Sequence, residues 1–235
     1  MEQLPLPVQL RPETSFTAFV AGPNVEAVAA LQAWARGDGE PFILVCGPRG
    51  TGKTHLLQGA CQAAVLAGRT AQYLPLRHPA LAPEALIGLE HTGHLALDDV
   101  QTIAGDETWE GALFTLFNRL RELGGRLLVS ADQPAASLPL TLPDLRSRLA
   151  WGPGYRLKPL EEPDCEDLLR AAASHRGLRL GPDLLGYLMR HLVREPGTLL
   201  AFLEDLDRES LAARQAPSIS LARRVLGARA PGSAG

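Results

Sequence analysis

The sequence predicts an α/β fold: a parallel sheet flanked by helices, followed by a small all-helical domain. Three observations predict it. Short apolar runs alternate with helical patterns through the first two thirds of the chain, as parallel strands and their crossovers do. The first such run, Phe42-Ile43-Leu44-Val45-Cys46, has no polar alternation and therefore marks a strand buried on both faces. A glycine-rich stretch, Gly47-Pro48-Arg49-Gly50-Thr51-Gly52-Lys53-Thr54, joins that strand to a helix.

The elements follow in order. Residues 1–14 are rich in Pro and Leu without helical or strand periodicity, and read as a flexible arm. A helix is expected from Pro23-Asn24 to Arg36, ended by Gly37-Asp38-Gly39. After the first strand and the glycine loop, a helix runs from Thr54 to Ala67 and stops at Gly68. Further strands are expected at 71–76, 95–97, 126–130 and 155–157. Trp109, Leu113, Leu116, Phe117 and Leu120 recur at helical spacing and give one apolar face to a helix that Gly124-Gly125 ends. From residue 159 helical patterns dominate, over 163–176, 182–193, 198–214 and 220–226. The division is thus an arm (1–14), a nucleotide-binding domain (15–158), a helical domain (159–226) and a disordered tail (227–235).

Composition narrows the function. Of 235 residues, 46% are hydrophobic and 21% charged, which leaves room for one sizeable core and a small satellite. The net charge of −3 supplies no global basic field, so DNA contact would have to be local or made through a partner. Cys46, Cys61 and Cys165 have no metal-ligand spacing and read as reduced core thiols of a cytosolic protein. No signal-peptide pattern or bilayer-length apolar run is present, so a cytoplasmic location without membrane contact is expected. His55, His78, His91, His94, His175 and His191 form no metal pattern, and His91 and His94 are expected in a polar turn. Ser130 has no His/Asp pattern that would make it a nucleophile, and Trp109 and Trp151 read as packing residues.

The glycine loop carries the chemistry. Its fixed positions, between a buried strand and a helix start, match the pattern in which backbone N–H groups wrap an anion and the helix N-terminus adds positive charge. Gly47 through Thr54, with His55 next along, are the expected nucleotide contacts. Lys53 would place a point charge on the outer phosphates, and the Thr54 hydroxyl would ligate Mg²⁺. Lys53 and Lys158 are the only lysines among 23 Lys and Arg, so a slim ammonium at 53 reads as a requirement that a wide guanidinium would not meet. Leu95-Ala96-Leu97-Asp98-Asp99 ends a buried strand in two carboxylates. Asp98 is expected to hold Mg²⁺ and Asp99 to polarise an attacking water; a strand-end turn capped by Asp99 is the simpler alternative.

With these motifs in view, the chain resembles the AAA+ P-loop ATPases and, within them, the DnaA clade, over Phe16 to about Leu226. Phe16-Thr17-Ala18-Phe19-Val20, with Gly22 and Asn24, looks like the clade's leading segment that borders the adenine. Asp98-Asp99-Val100-Gln101 and Ile103-Ala104-Gly105 look like its acidic strand end, and Ser130-Ala131-Asp132 like its first sensor, which would turn Asp132 toward the γ-phosphate. Leu145 to Gly152 looks like the segment that carries an arginine finger, which the resemblance places on Arg148. Gly105-Asp106-Glu107-Thr108-Trp109-Glu110 and Leu142-Pro143-Asp144-Leu145 are most similar to the Hda family of DnaA-related regulators, which inactivate the replication initiator. Gln3-Leu4-Pro5-Leu6-Pro7 is similar to the sliding-clamp-binding motif of that family, so Gln3, Leu4, Leu6 and Pro7 are the expected contacts to the polymerase III β clamp.

The resemblance implies a regulator that holds ADP or ATP with Mg²⁺, docks on the DNA-loaded clamp and offers Arg148 to the ATP of DnaA. No helix-turn-helix follows the helical lid, and Arg77 is the only Lys or Arg over residues 77–94, so the initiator's DNA-reading parts are expected to be missing. One departure stands out: Gly197 occupies the position of the clade's second sensor arginine, with Arg194 the nearest substitute, and a resting ADP-bound state, as the Hda resemblance implies, fits this better than a cycling motor. Without the resemblance, Arg148 reads as a surface residue pairing with Asp144, worth a few tenths of a kcal/mol. Burying Leu4 and Leu6 would contribute roughly 3–6 kcal/mol before ordering costs, a micromolar contact that a multi-site clamp can strengthen through effective concentration. Two rival readings remain at this stage: a self-sufficient ATPase such as a helicase loader, and a binding-only adaptor with a structural nucleotide.

Overall fold

The computed structural model describes residues 14–229, so Gln3, Leu4, Leu6 and Pro7 of the arm lie outside the described residues. The chain divides into two compact units, Met1–Lys158 and Pro159–Gly235. In the first, strands β1 (Phe42–Cys46), β2 (Ala71–Pro75), β3 (His94–Asp98), β4 (Arg126–Ala131) and β5 (Gly154–Arg156) form one sheet in the spatial order β2-β3-β4-β1-β5. Every pairing is parallel.

The period of two along each strand sends alternate side chains to opposite cores. Ile43 and Val45 pack with Ala96, Leu128 and the helices α1 (Val25–Arg36) and α2 (Lys53–Leu66). Leu44 and Cys46 pack with Leu95, Leu97, Leu127 and Val129 against α3 (Glu107–Glu122) and α4 (Pro143–Leu149). This two-sided burial explains why β1, β3 and β4 read as apolar runs, whereas β2 and β5 at the sheet edges are only partly buried. Gly37, at φ 88°, ends α1 in the left-handed conformation, and its N–H is bonded to the last turn.

His94 departs from the polar turn expected for it. It opens β3 at 4% exposure, with Nε2 2.9 Å from the Trp34 carbonyl oxygen and its ring edge-on to the indole. A hydrogen-bonded imidazole on an aromatic face is tolerated inside a sheet that a sequence pattern would reserve for apolar residues. His91 does lie exposed, in a short 3-10 turn at Leu89–His91. The helix α4 and the 3-10 turns at Phe16–Ala18, Pro83–Leu86, Val100–Ile103 and Ala135–Ser137 were too short for periodicity to announce.

Glu110 fixes where α4 begins. It is fully buried in the first turn of α3 and accepts from Gly105 N at 2.7 Å, Thr141 N at 3.1 Å, Thr141 Oγ1 at 2.9 Å and Leu142 N at 2.7 Å. One carboxylate thus ties the loop after β3 to the residues that lead into α4.

The second unit contains α5 (Glu162–His175), α6 (Pro182–His191), α7 (Pro196–Ala213) and α8 (Ile219–Arg229). Leu169, Leu188, Phe202, Leu206 and Ala222 are buried between them. Helix α8 runs past Gly227, where the sequence places the start of a disordered tail. Arg229 anchors its end, with Nε 2.7 Å from Asp205 Oδ2 and the guanidinium over the Phe202 ring. No helix among the described residues is long and apolar enough to cross a membrane.

Burial alone would raise the Glu110 pKa, but the bonds from Leu142, Gly105 and Thr141 outweigh it and hold the carboxyl below its ordinary value. A depressed folded pKa contributes stability in full above the ordinary carboxylate range and loses it as pH falls through the folded value. Glu110→Gln should therefore lower stability at pH 7 by about 1–3 kcal/mol. Denaturant titrations at pH 7 and pH 4 should show the gap between wild type and variant narrowing at the lower pH.

Candidate functional site

The carboxyl ends of β1, β3 and β4 converge with the start of α2. The loop after β1 holds a sequence of conformations that only glycine takes easily: Gly50 has φ 84° and Gly52 φ 89°. A Cβ on Gly52 would also stand 2.6 Å from the Phe19 ring, and one on Gly47 would stand 2.7 Å from the Leu157 carbonyl oxygen. The loop is therefore pressed between the leading segment and the chain after β5. Thr51 closes it from within, its hydroxyl donating to Pro48 O at 2.9 Å, while Pro48 and Arg49 are exposed at its crest.

Lys53 is 8% exposed, and its Nζ donates to Gly47 O at 2.6 Å and Pro48 O at 2.9 Å. Burial lowers its pKa, and the charges of Asp99, Asp98 and Asp132 oppose that shift. The ammonium is thus kept among acceptors it can exchange for a more strongly charged one. His55 sits one turn inside, with Nε2 3.0 Å from Ser15 O and its ring 5.5 Å from Phe19; burial lowers its pKa. Asn24 fastens the leading segment by exchanging two hydrogen bonds with the Lys158 backbone, at 3.0 and 2.8 Å.

Asp98 is the hub of the acidic side. Its Oδ2 accepts from Thr54 Oγ1 at 2.7 Å and from Tyr73 OH at 2.7 Å, and its Oδ1 accepts from Ser130 Oγ. Thr54 and Asp98 thus share one corner as hard oxygen donors. No group of three or more His, Cys, Asp or Glu among the described residues forms a metal cage. A two-oxygen corner beside an anion loop fits Mg²⁺, which keeps waters and shares phosphate oxygens rather than occupying an all-protein cage.

Asp99 is turned away from Asp98 by a left-handed backbone, φ 64°. Arg77 Nε lies 2.5 Å from its Oδ2, and Gln101 Nε2 donates to its Oδ1 at 2.9 Å. Gln101 also accepts from Asp132 N at 3.2 Å, linking the two acids. Both oxygens of the expected base are therefore engaged by donors. Asp132 itself is exposed at the end of β4.

Arg148 stands apart from this cluster. It lies in the last turn of α4 and borders a small crevice with Phe42, Ile43, Leu44, Phe117 and Gly152. These include the start of β1, the end opposite to the loop. Its guanidinium carbon is 5.1 Å from the Trp151 ring centroid and 6.0 Å from that of Phe114, and no ion pair joins it to Asp144 among the described residues. Trp151, read from sequence as packing, is 51% exposed. In the second unit Arg194 pairs with Glu162 at 3.0 Å, and Gly197 is the second residue of α7, where a Cβ would meet nothing.

Tyr73, Arg77, Gln101 and the structural role of Ser130 were not found from sequence. Each acts across a strand boundary, so strand order was the missing information. The register that puts Pro75 opposite Asp98 also brings Tyr73 and Arg77 to the acidic strand end.

Comparison with known proteins gives two family matches: the Hda lid domain over residues 162–226 and the bacterial DnaA ATPase domain over residues 88–154. Domain III of the Thermotoga maritima initiation protein DnaA superposes with a TM-score of 0.82 at 22% identity, covering 96% of this chain and 100% of that one. AMPPCP-bound DnaA from Aquifex aeolicus gives 0.70 at 22% identity, over 88% of this chain and 71% of that one. The Thermotoga maritima RuvB branch migration motor gives 0.70 at 17% identity, over 93% and 72%. At these identities the superpositions establish the AAA+ fold.

Lys53→Met should abolish the rise in melting temperature that adenine nucleotide with Mg²⁺ produces. Without nucleotide the variant should melt at or above the wild-type temperature, because a buried ammonium is replaced by an apolar chain of similar length. Paired thermal-shift curves check both signs.

Proposed function

This chain is a DnaA-related AAA+ protein with an Hda-type lid, and from that premise we propose that it regulates DnaA by promoting hydrolysis of the ATP that DnaA holds. The loop Gly47–Thr54 binds the protein's own ADP or ATP, with Lys53 on the outer phosphates and the leading segment beside the base. Thr54 and Asp98 hold Mg²⁺, which neutralises phosphate charge. Arg148 is the finger offered to the initiator's nucleotide, a contribution that can be worth roughly 10³–10⁵ in rate. The arm residues Gln3, Leu4, Leu6 and Pro7 dock on the sliding clamp, so DNA is engaged through the clamp. Hydrolysis on the initiator then prevents a second initiation.

One observation carries this reading: Arg148 borders the amino-terminal half of β1, whereas the anion loop leaves its carboxyl end. The strand separates them by roughly 13 Å at about 3.3 Å per residue. An arginine placed there is out of reach of its own nucleotide and open to another protein's. The engagement of Asp99 by Arg77 and Gln101 supports a weak hydrolase in its own right, and so favours the adaptor over the self-sufficient motor.

Arg148→Ala should reduce stimulation of initiator-bound ATP hydrolysis by at least about 100-fold while nucleotide binding by this protein stays intact; surviving stimulation would falsify the finger assignment. Replacing Leu4 and Leu6 with Ala should eliminate retention on immobilised clamp, and retained binding would return the arm to a plain tail.

A further inference from the structure

Trp151 lies just past Ala150, the C-cap of α4, and carries two cations. The Arg121 guanidinium carbon is 4.2 Å from the centroid of its ring, and that of Arg148 is 5.1 Å away. Phe117 stacks on the same indole at 6.2 Å and 24°, joining it to the core. Backbone contacts hold the segment that carries the platform. Trp151 N donates to Arg148 O at 3.1 Å, and a Cβ on Gly152 would fall 1.7 Å from Phe42 O, so the chain leaving the indole is pressed flat against β1.

Neither the Arg121 nor the Arg148 guanidinium makes a hydrogen bond or ion pair among the described residues. Several other arginines of this unit behave differently: Arg77, Arg119 and Arg126 are each tied to carboxylates or carbonyls. Stacking on an exposed aromatic holds a guanidinium weakly and leaves its in-plane N–H donors free. Both forks rest on the one ring, where an anion that reaches both would offset their like charge. Their donor edges match phosphate oxygens, which accept bidentate arginine bonds.

We propose that Trp151 is a positioning residue that presents Arg148 and Arg121 together as a paired receptor for the phosphates of a nucleotide bound to a second protein. The proposal rests on the reading of Arg148 as a finger in trans, and it adds Arg121 as a second phosphate-binding residue. Nucleic-acid phosphate is the rival ligand, disfavoured by the net charge of −3.

The test uses the full chain, the clamp on DNA and initiator preloaded with ATP, with single-turnover rates measured against the concentration of this protein. Trp151→Ala should lower the maximal stimulated rate by about 10-fold or more, with the half-saturating concentration changing less than about 3-fold. Trp151→Phe should restore most of the rate, since a smaller ring still carries a guanidinium. Arg121→Gln should lower the maximal rate by about 5-fold or more. In an Arg148→Ala background, Trp151→Ala should add little further loss. Wild-type rates in Trp151→Ala and Arg121→Gln, beside an inactive Arg148→Ala, would overturn the paired receptor and leave the finger standing. Full activity in Arg148→Ala would overturn both. A Phe variant that melts like wild type yet stays inactive overturns the platform, and so does a loss confined to half-saturation or to single-stranded DNA binding.

Discussion

A single buried carboxylate sets the geometry of the site. Asp98 ends β3 at 2% exposure and takes hydrogen bonds from Thr54 on α2, Tyr73 on β2 and Ser130 on β4. Burying a carboxylate is costly unless its oxygens are satisfied, so these three donors must stay where they are. Their positions in turn fix the start of α2 against two strand ends, and with it the loop that Lys53 closes. Phosphate-side chemistry and sheet register are therefore one constraint seen from two directions. The Tyr73 hydroxyl shows the strength of that coupling, since burial and then the Asp98 charge both push its pKa upward.

The opposite end of the sheet has a different logic. There the elements are joined by backbone contact and aromatic stacking. Gly152 lies against β1, and Phe117 stacks between Phe42 and Trp151. The result is a rigid surface on which guanidinium groups rest without charged partners. Glycine-loop backbone and the Lys53 ammonium gather at one end of the strand, and guanidiniums without charged partners at the other. On the proposed reading the first end holds this protein's own nucleotide and the second acts on a neighbour's.

Most of the scaffold was legible because it depends on local rules. All five strands were expected at nearly these positions, β1, β3 and β4 from their apolar runs, and glycine stops located helix ends, as at Gly37 and Gly68. The anion loop was legible because its glycines, its lysine and its strand–helix setting are contiguous. What escaped was the part assembled across strands. Nothing in the spacing of Tyr73 or Arg77 connects them to Asp98 or Asp99 until β2 is known to lie beside β3. His94 was misplaced because its polarity suggested a turn, whereas the Trp34 carbonyl and ring make a strand interior acceptable. The Arg148 platform was hidden for a related reason: Trp151 reads as packing until Arg121, from another helix, is found on the same ring.

The division of labour between the two ends of β1 can be measured by placing the label on one protein at a time. Initiator loaded with labelled ATP and freed of excess nucleotide is mixed with clamp on DNA and with this protein carrying unlabelled ADP. Rapid conversion of the label to ADP on the initiator, and slow conversion when the same label is loaded on this protein instead, is the predicted result. Label that survives on the initiator, or turns over only when this protein carries it, would contradict the account.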